Sequence, residues 1–396
     1  MKTFACRHVV YRCQSIALGV GIVLLSVPPI ARAGVDPDIP RLQAEAERGS
    51  IQREVELGSA YFSGHGVAQD EKRAAYWFEK AANAGDPWAQ MEIGYFYQAG
   101  TGVARDPAKA AKWFQRAAAG GLVTAKVNLG VAYFVGSGVR KDAALAENLF
   151  RQAFAQGDGV AAFYLGVMYS QGTGVQRDEA AGERWFEAGA KLHDPRSELR
   201  LGTLIWRRQN DPNDARKAIK LLRESAAAGL VNAKHQLGIT LVKNPQLASS
   251  PDEASTLLKE AAEAGEWRSS VALGLLSRDG IAGMPVDPRA AYYHYRVAVL
   301  QGGEEARRIV SNDLEGLSSR IGSQQAAAMD ADASAWFANH HVALTFIAKD
   351  GMKWKDFPAY AVATPEEGTY AGRLFPIDPA QQQMTDPGHR AGASMR

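Results

Sequence analysis

Cysteine is almost absent from this 396-residue chain: Cys6 and Cys13 are the whole supply. Both fall in a segment with the make-up of an export signal. Lys2, Arg7 and Arg12 form a basic start, Ile16 to Val27 an apolar run, and Pro28-Pro29 break it before the small-x-small pattern Ala31-Arg32-Ala33. The expectation is a signal peptide over residues 1–33, cleaved after Ala33, and a periplasmic or secreted mature protein. An uncleaved N-terminal anchor is the competing reading. The mature chain then has no disulfide, although an oxidising compartment would permit one. No cysteine follows Ala33, so a lipoprotein anchor is unsupported. The apolar run is too short to span a bilayer comfortably, and no transmembrane span is expected after signal removal.

A basic excess is lacking too. The full chain carries 45 Lys and Arg against 43 Asp and Glu. Four of the basic residues (Lys2, Arg7, Arg12, Arg32) leave with the signal, so 41 remain against 43 and the formal charge is −2. A nucleic-acid partner loses its main support, because phosphate binding needs a basic face. Catalytic signatures are equally missing: no HExxH, no GxSxG elbow, no CxxC pair. His340 and His341 are adjacent, but neighbours on a helix point about 100° apart. Ser137 belongs to a repeated loop, and the Gly-x-Gly loops lack the Lys-Ser/Thr of a phosphate cradle. The sequence therefore offers no catalytic, metal or cofactor-binding residue.

What is abundant is periodicity. A glycine recurs every 36 residues, at Gly58, Gly94, Gly130, Gly166, Gly202, Gly238 and Gly274, which marks a stacked repeat architecture. Each repeat reads as helix A, loop, helix B. The glycine lies mid-way along helix A, where it costs roughly 1 kcal/mol against alanine, so helix B is expected to approach its backbone too closely for a Cβ. Gly-x-Gly-Val loops follow at Gly64, Gly100, Gly136 and Gly172. A capping aspartate opens helix B at Asp70, Asp106, Asp142, Asp178 and Asp287. Trp77, Trp113, Leu149, Trp185, Leu221, Leu257 and Tyr293 form an inward apolar column at the same spacing. The layout is a linker and N-terminal capping helix over 34–49, seven repeats over 50–302, capping helices over 303–341 and an irregular tail over 342–396. Within the tail, Val342 to Ala348 is strand-like in composition, and Lys349-Asp350-Gly351 reads as a hairpin turn.

Leu-Gly-x-x-Tyr, Gly-x-Gly-Val, a capping Asp and Ala-x-x-Trp-[Phe/Tyr]-x-x-Ala-Ala, in that order, resemble the Sel-one-like repeat, a relative of the tetratricopeptide repeat. The resemblance implies an all-α, right-handed solenoid and a protein-binding scaffold or adaptor without a cofactor. By the same analogy the inner face lies along helix A. It is lined by residues three before, one after and four after the glycine, which places Phe62, Met91, Tyr95, Gln98, Phe134, Phe163 and Trp206 there. The stripe is either a groove for an apolar or extended peptide, a surface buried by tight coiling, or a seat for the chain's own tail. Two other functions stand beside the scaffold: a component of an envelope assembly for polysaccharide export or secretion, and a β-lactam-binding or hydrolysing enzyme. The last belongs to a cysteine-rich subgroup that the mature chain does not match.

Overall fold

The computed structural model describes residues 38–208 and 212–348, the side chains of 212 and 341–348 excepted. The signal segment and residues 349–396, with the hairpin turn read at Lys349-Asp350-Gly351, lie outside the described residues. Among the described residues there are sixteen α-helices, one 3-10 turn at Pro245–Leu247 and no strand. The chain divides into two compact units, with the division between Leu257 and Leu258.

The first unit begins with the short helix α1 (Ile39–Glu47). Five helix pairs follow: α2 (Ile51–Ser63) with α3 (Glu71–Asn83), α4 (Pro87–Ala99) with α5 (Pro107–Ala119), α6 (Val123–Val135) with α7 (Ala143–Phe154), α8 (Gly159–Gln171) with α9 (Glu179–Lys191), and α10 (Pro195–Arg208) with α11 (Pro212–Ala227). Helix α12 (Val231–Lys243) follows as a further helix A, and α13 (Glu253–Glu263), next in the chain, crosses the division. The first member of each pair is a helix A and the second a helix B.

The repeated residues explain the pairing. At the starts of α3, α5, α7 and α9 the aspartate carboxylate accepts from the backbone N–H three residues on, as Asp106 does from Lys109 at 3.0 Å and Asp142 from Leu145 at 2.9 Å. Its own N–H reaches back to helix A, Asp106 to the Tyr97 carbonyl at 2.7 Å and Asp70 to that of Tyr61 at 2.9 Å. The turn between is therefore clamped at both ends. At Gly58, Gly94, Gly130 and Gly166 the mid-helix glycine is a seat for an aromatic ring of helix B, and at Gly202 for Leu222. A Cβ on Gly94 would stand 2.6 Å from the Phe114 ring, and one on Gly130 would stand 2.7 Å from that of Phe150. The second loop glycine joins neighbouring repeats: a Cβ on Gly102 would overlap the Glu71 carbonyl at the start of α3, and one on Gly138 that of Pro107 at the start of α5.

The second unit contains the rest of α13, then α14 (Trp267–Asp279), α15 (Pro288–Ile321) and α16 (Ser323–Ala348). Helix α15 changes direction at Gly303, whose backbone is non-helical at φ 59°, ψ −135°. The loop from α14 to α15 is one residue longer than in the first four pairs: Asp287 N–H reaches Ser277, ten residues back, where Asp106 reaches nine to Tyr97. The insertion shifts the register of α15. The ring seated on Gly274 is that of Tyr295, the counterpart of Phe114. The tryptophan column therefore passes through His294, and the 36-residue count that assigned Tyr293 to it is corrected. A second correction concerns Val342 to Ala348. This stretch is helical, as the end of α16, so the capping helices pass the expected boundary at 341. No Gly or Pro interrupts the chain between Ser323 and Ala348, and a helix already propagating outweighs a weak β-branched preference.

Candidate partner-binding face

Side chains on helix A divide by role. In α4, Ala89, Met91, Ile93, Gly94, Phe96 and Tyr97 are buried. The Tyr97 hydroxyl donates to Glu79 at 2.8 Å, and its pKa is pushed up to about 12 by burial and by that carboxylate. Such motif residues tie helix A to its neighbours. What reaches the surface of the face is set by the residues the motif leaves free.

The seven residues placed on this face by the repeat register have two fates. Met91, Phe134 and Phe163 are buried, at 6%, 8% and 4% exposure. Phe134 packs edge-on against Tyr164 at 6.4 Å between centroids, and Phe163 meets both Tyr164 and Phe186. These three belong to the core: Phe134 meets a ring of the next helix A, Phe163 a ring of its partner helix B, and Met91 lies in the cluster around Phe78 and Phe114. Phe62, Tyr95, Gln98 and Trp206 remain half-buried. Phe62 leans on Phe96 at 5.3 Å, and Tyr95 stands edge-on to Phe114 at 5.3 Å. Rings held this way present a fixed edge to the surface with little freedom left to lose on binding. Trp206 packs against the core cluster that holds Phe163 and Leu201.

A further column, two residues before the glycine, also contributes: Glu56, Glu92, Asn128, Tyr164, Arg200 and Gln236. Asn128 donates from Nδ2 to the Tyr95 hydroxyl at 2.6 Å, linking α6 to α4 across the face. Glu92 is half-buried on α4, and burial pushes its carboxyl up to about 7. Sequence reasoning passed over this column because its residue types vary and no motif marks it. Its periodic position was the available signal. Along the face the charge changes sign. Glu56 and Glu92 stand on α2 and α4, α8 carries no charged residue, and Arg200, Arg207 and Lys243 stand on α10 and α12.

The chemistry available is that of a binding surface. Among the described residues no three His, Cys, Asp or Glu side chains converge as metal ligands. No described helix is long and apolar enough to cross a membrane.

The comparisons agree with this architecture. The Sel1 repeat family matches residues 54–86, 89–122, 123–158, 159–194, 195–230 and 268–303, together more than half of the chain. The unmatched interval contains α12 and α13, whose loop carries the 3-10 turn in place of Gly-x-Gly-Val. A Sel1 repeat protein from Oxalobacter formigenes is 31% identical, with 57% of this chain and 93% of its own covered at a TM-score of 0.52. A protective antigen of uropathogenic Escherichia coli displaying an SLR fold is 22% identical, covering 80% of this chain and 74% of its own at a TM-score of 0.42. No curated protein matches the chain. Sel1 repeat proteins typically mediate protein–protein interaction and are generally non-enzymatic scaffolds. With the seated rings, the clamped turns and six matched segments in register, the chain belongs to the Sel1 repeat family.

Proposed function

We propose that the protein is exported and acts as an interaction scaffold, holding a protein or extended peptide against the helix A face of α2 to α12. One observation carries the reading. Phe62, Gln98 and Trp206, each four residues after the glycine of its own repeat, and Tyr95, one after Gly94, differ from one another, lie outside the packing motif and reach the surface. Such a face binds without reorganising, since its rings are already fixed by the core. The family's usual role supports the same assignment. Export is supported by the basic, apolar and small-x-small order of residues 1–33.

Two experiments test the two halves. A crosslinking pull-down from the native envelope should lose partners when Tyr95→Ala, Gln98→Ala and Trp206→Ala are introduced in turn. Retention of the full partner set by all three variants contradicts the face. For export, N-terminal sequencing of protein from the periplasm or the medium should begin at Gly34. Recovery of the whole pool in the cytoplasm with Met1 intact contradicts it.

A further inference from the structure

The charged residues of α2 and α4 are Arg53, Glu54, Glu56 and Glu92. Arg53 donates from Nη1 to Glu56 at 2.5 Å and from Nε to Glu45 at 2.8 Å. The buried Glu54 holds Lys80 at 2.9 Å. Glu92 differs: among the described residues no cation or hydrogen-bond donor reaches its carboxylate, and burial acts on it with no opposing charge. A half-buried carboxylate in that state has given up hydration without gaining a partner, which costs folding stability. Glutamine in its place would avoid the cost.

The repeat register shows what stands opposite the carboxylate. Glu92 lies two residues before Gly94, as Asn128 lies before Gly130. Asn128 reaches back to the preceding helix A, donating from Nδ2 to the Tyr95 hydroxyl at 2.6 Å. By the same register the residue opposite Glu92 on α2 is Ser59, one after Gly58. Serine is too short to bridge as the Tyr95 phenol does, and its hydroxyl donates instead to the Val55 carbonyl at 3.0 Å. The ring that fills the space between α4 and α6 therefore has no counterpart between α2 and α4. Two ring edges flank this place. Phe62, one turn beyond Ser59, is held against Phe96, and Tyr95, one turn beyond Glu92, against Phe114. A carboxylate, a small neighbour and two ring edges suit a long side chain with an apolar stem and a cationic head. We propose that this place takes a lysine or arginine side chain of an extended protein segment bound along the helix A face, its head pairing with Glu92 and its stem lying beside Phe62 and Tyr95. The inference rests on the proposed binding role of the face and names what the partner must present there.

Panning a random dodecapeptide phage library on the purified full chain tests this, at a slightly alkaline pH where the Glu92 carboxylate is ionised even unpaired. Selected peptides should carry Lys or Arg beside an aromatic or aliphatic residue. Their affinity for Glu92→Gln should fall at least about tenfold, while melting curves show that the variant stays folded. Panning on Glu92→Lys should select Asp or Glu in place of the basic residue. Peptides that need Tyr95, as judged with Tyr95→Ala, but carry no basic residue or bind Glu92→Gln undiminished overturn the inference and leave the face as a binding surface. Peptides indifferent to both Tyr95→Ala and Glu92→Gln count against the face as well. Failure to select any peptide also overturns the inference, and the pull-down then decides the wider reading.

Discussion

The glycine at the centre of each helix A is a packing residue. In an isolated helix, replacing Gly94 by Ala would add roughly 1 kcal/mol of helix preference. Here the added methyl would stand 2.6 Å from the Phe114 ring, and overpacking of that kind costs about 1–3 kcal/mol. Gly94→Ala should therefore destabilise the protein in denaturant melts, and combining it with Phe114→Leu should recover part of the loss. Glu92 makes a second prediction at this scale. Burial raises its folded-state pKa to about 7 from the usual 4.5, so folding takes up a proton between those values. Stability is then favoured below about pH 4.5 and declines as pH rises through 7. Glu92→Gln should stabilise the protein at pH 8, by roughly 1–2 kcal/mol after allowance for its partial exposure, and change little at pH 4. Equal effects at both pH values would contradict the assignment.

At the scale of the helix pair, the seventh repeat shows what a one-residue change in loop length does. The longer turn rotates α15 so that Tyr295 takes the glycine seat and His294 takes the tryptophan position. Burial, reinforced by the Lys259 charge and opposed by Asp287, lowers the His294 pKa from 6.5 to about 4. The folded state excludes a proton that the unfolded chain binds below pH 6.5. The second unit should thus keep its stability at neutral pH and lose it as pH falls from about 6.5 towards 4. His294→Phe should flatten that acid limb in melts followed by hydrogen exchange of α14 and α15; an unchanged limb would contradict it. This pair also shows what was legible in sequence and what was not. The glycine seats, capping aspartates and loop glycines are imposed by backbone geometry, so they recur at fixed spacing and can be counted. The register shift was hidden because Tyr293, His294 and Tyr295 are consecutive rings, any of which fits an apolar column on paper. The helical path of residues 342–348 is hard to see in sequence because Val342, Thr345 and Ile347 favour strand, and only the absence of a stop signal after Ser323 favours helix.

For the molecule, the recurring lesson is a separation of labour within helix A. The motif positions bury themselves to hold the stack, and they took Met91, Phe134 and Phe163 with them. Sequence register could place seven residues on the face, but not decide which of them close neighbours would cover. That depends on rings from adjacent helices, such as Tyr164 over Phe134. The remaining half-buried residues, with the change from acidic α2 and α4 to basic α10 and α12, define the surface on which recognition is proposed. The most direct measurement is photocrosslinking in the native cell from a benzophenone amino acid placed at position 95 on the helix A face. The control carries it at position 76, the exposed Tyr76 of helix B. The account predicts a discrete set of protein adducts from position 95 that is absent from position 76. Identical adducts from both positions, or adducts from position 76 alone, would contradict it.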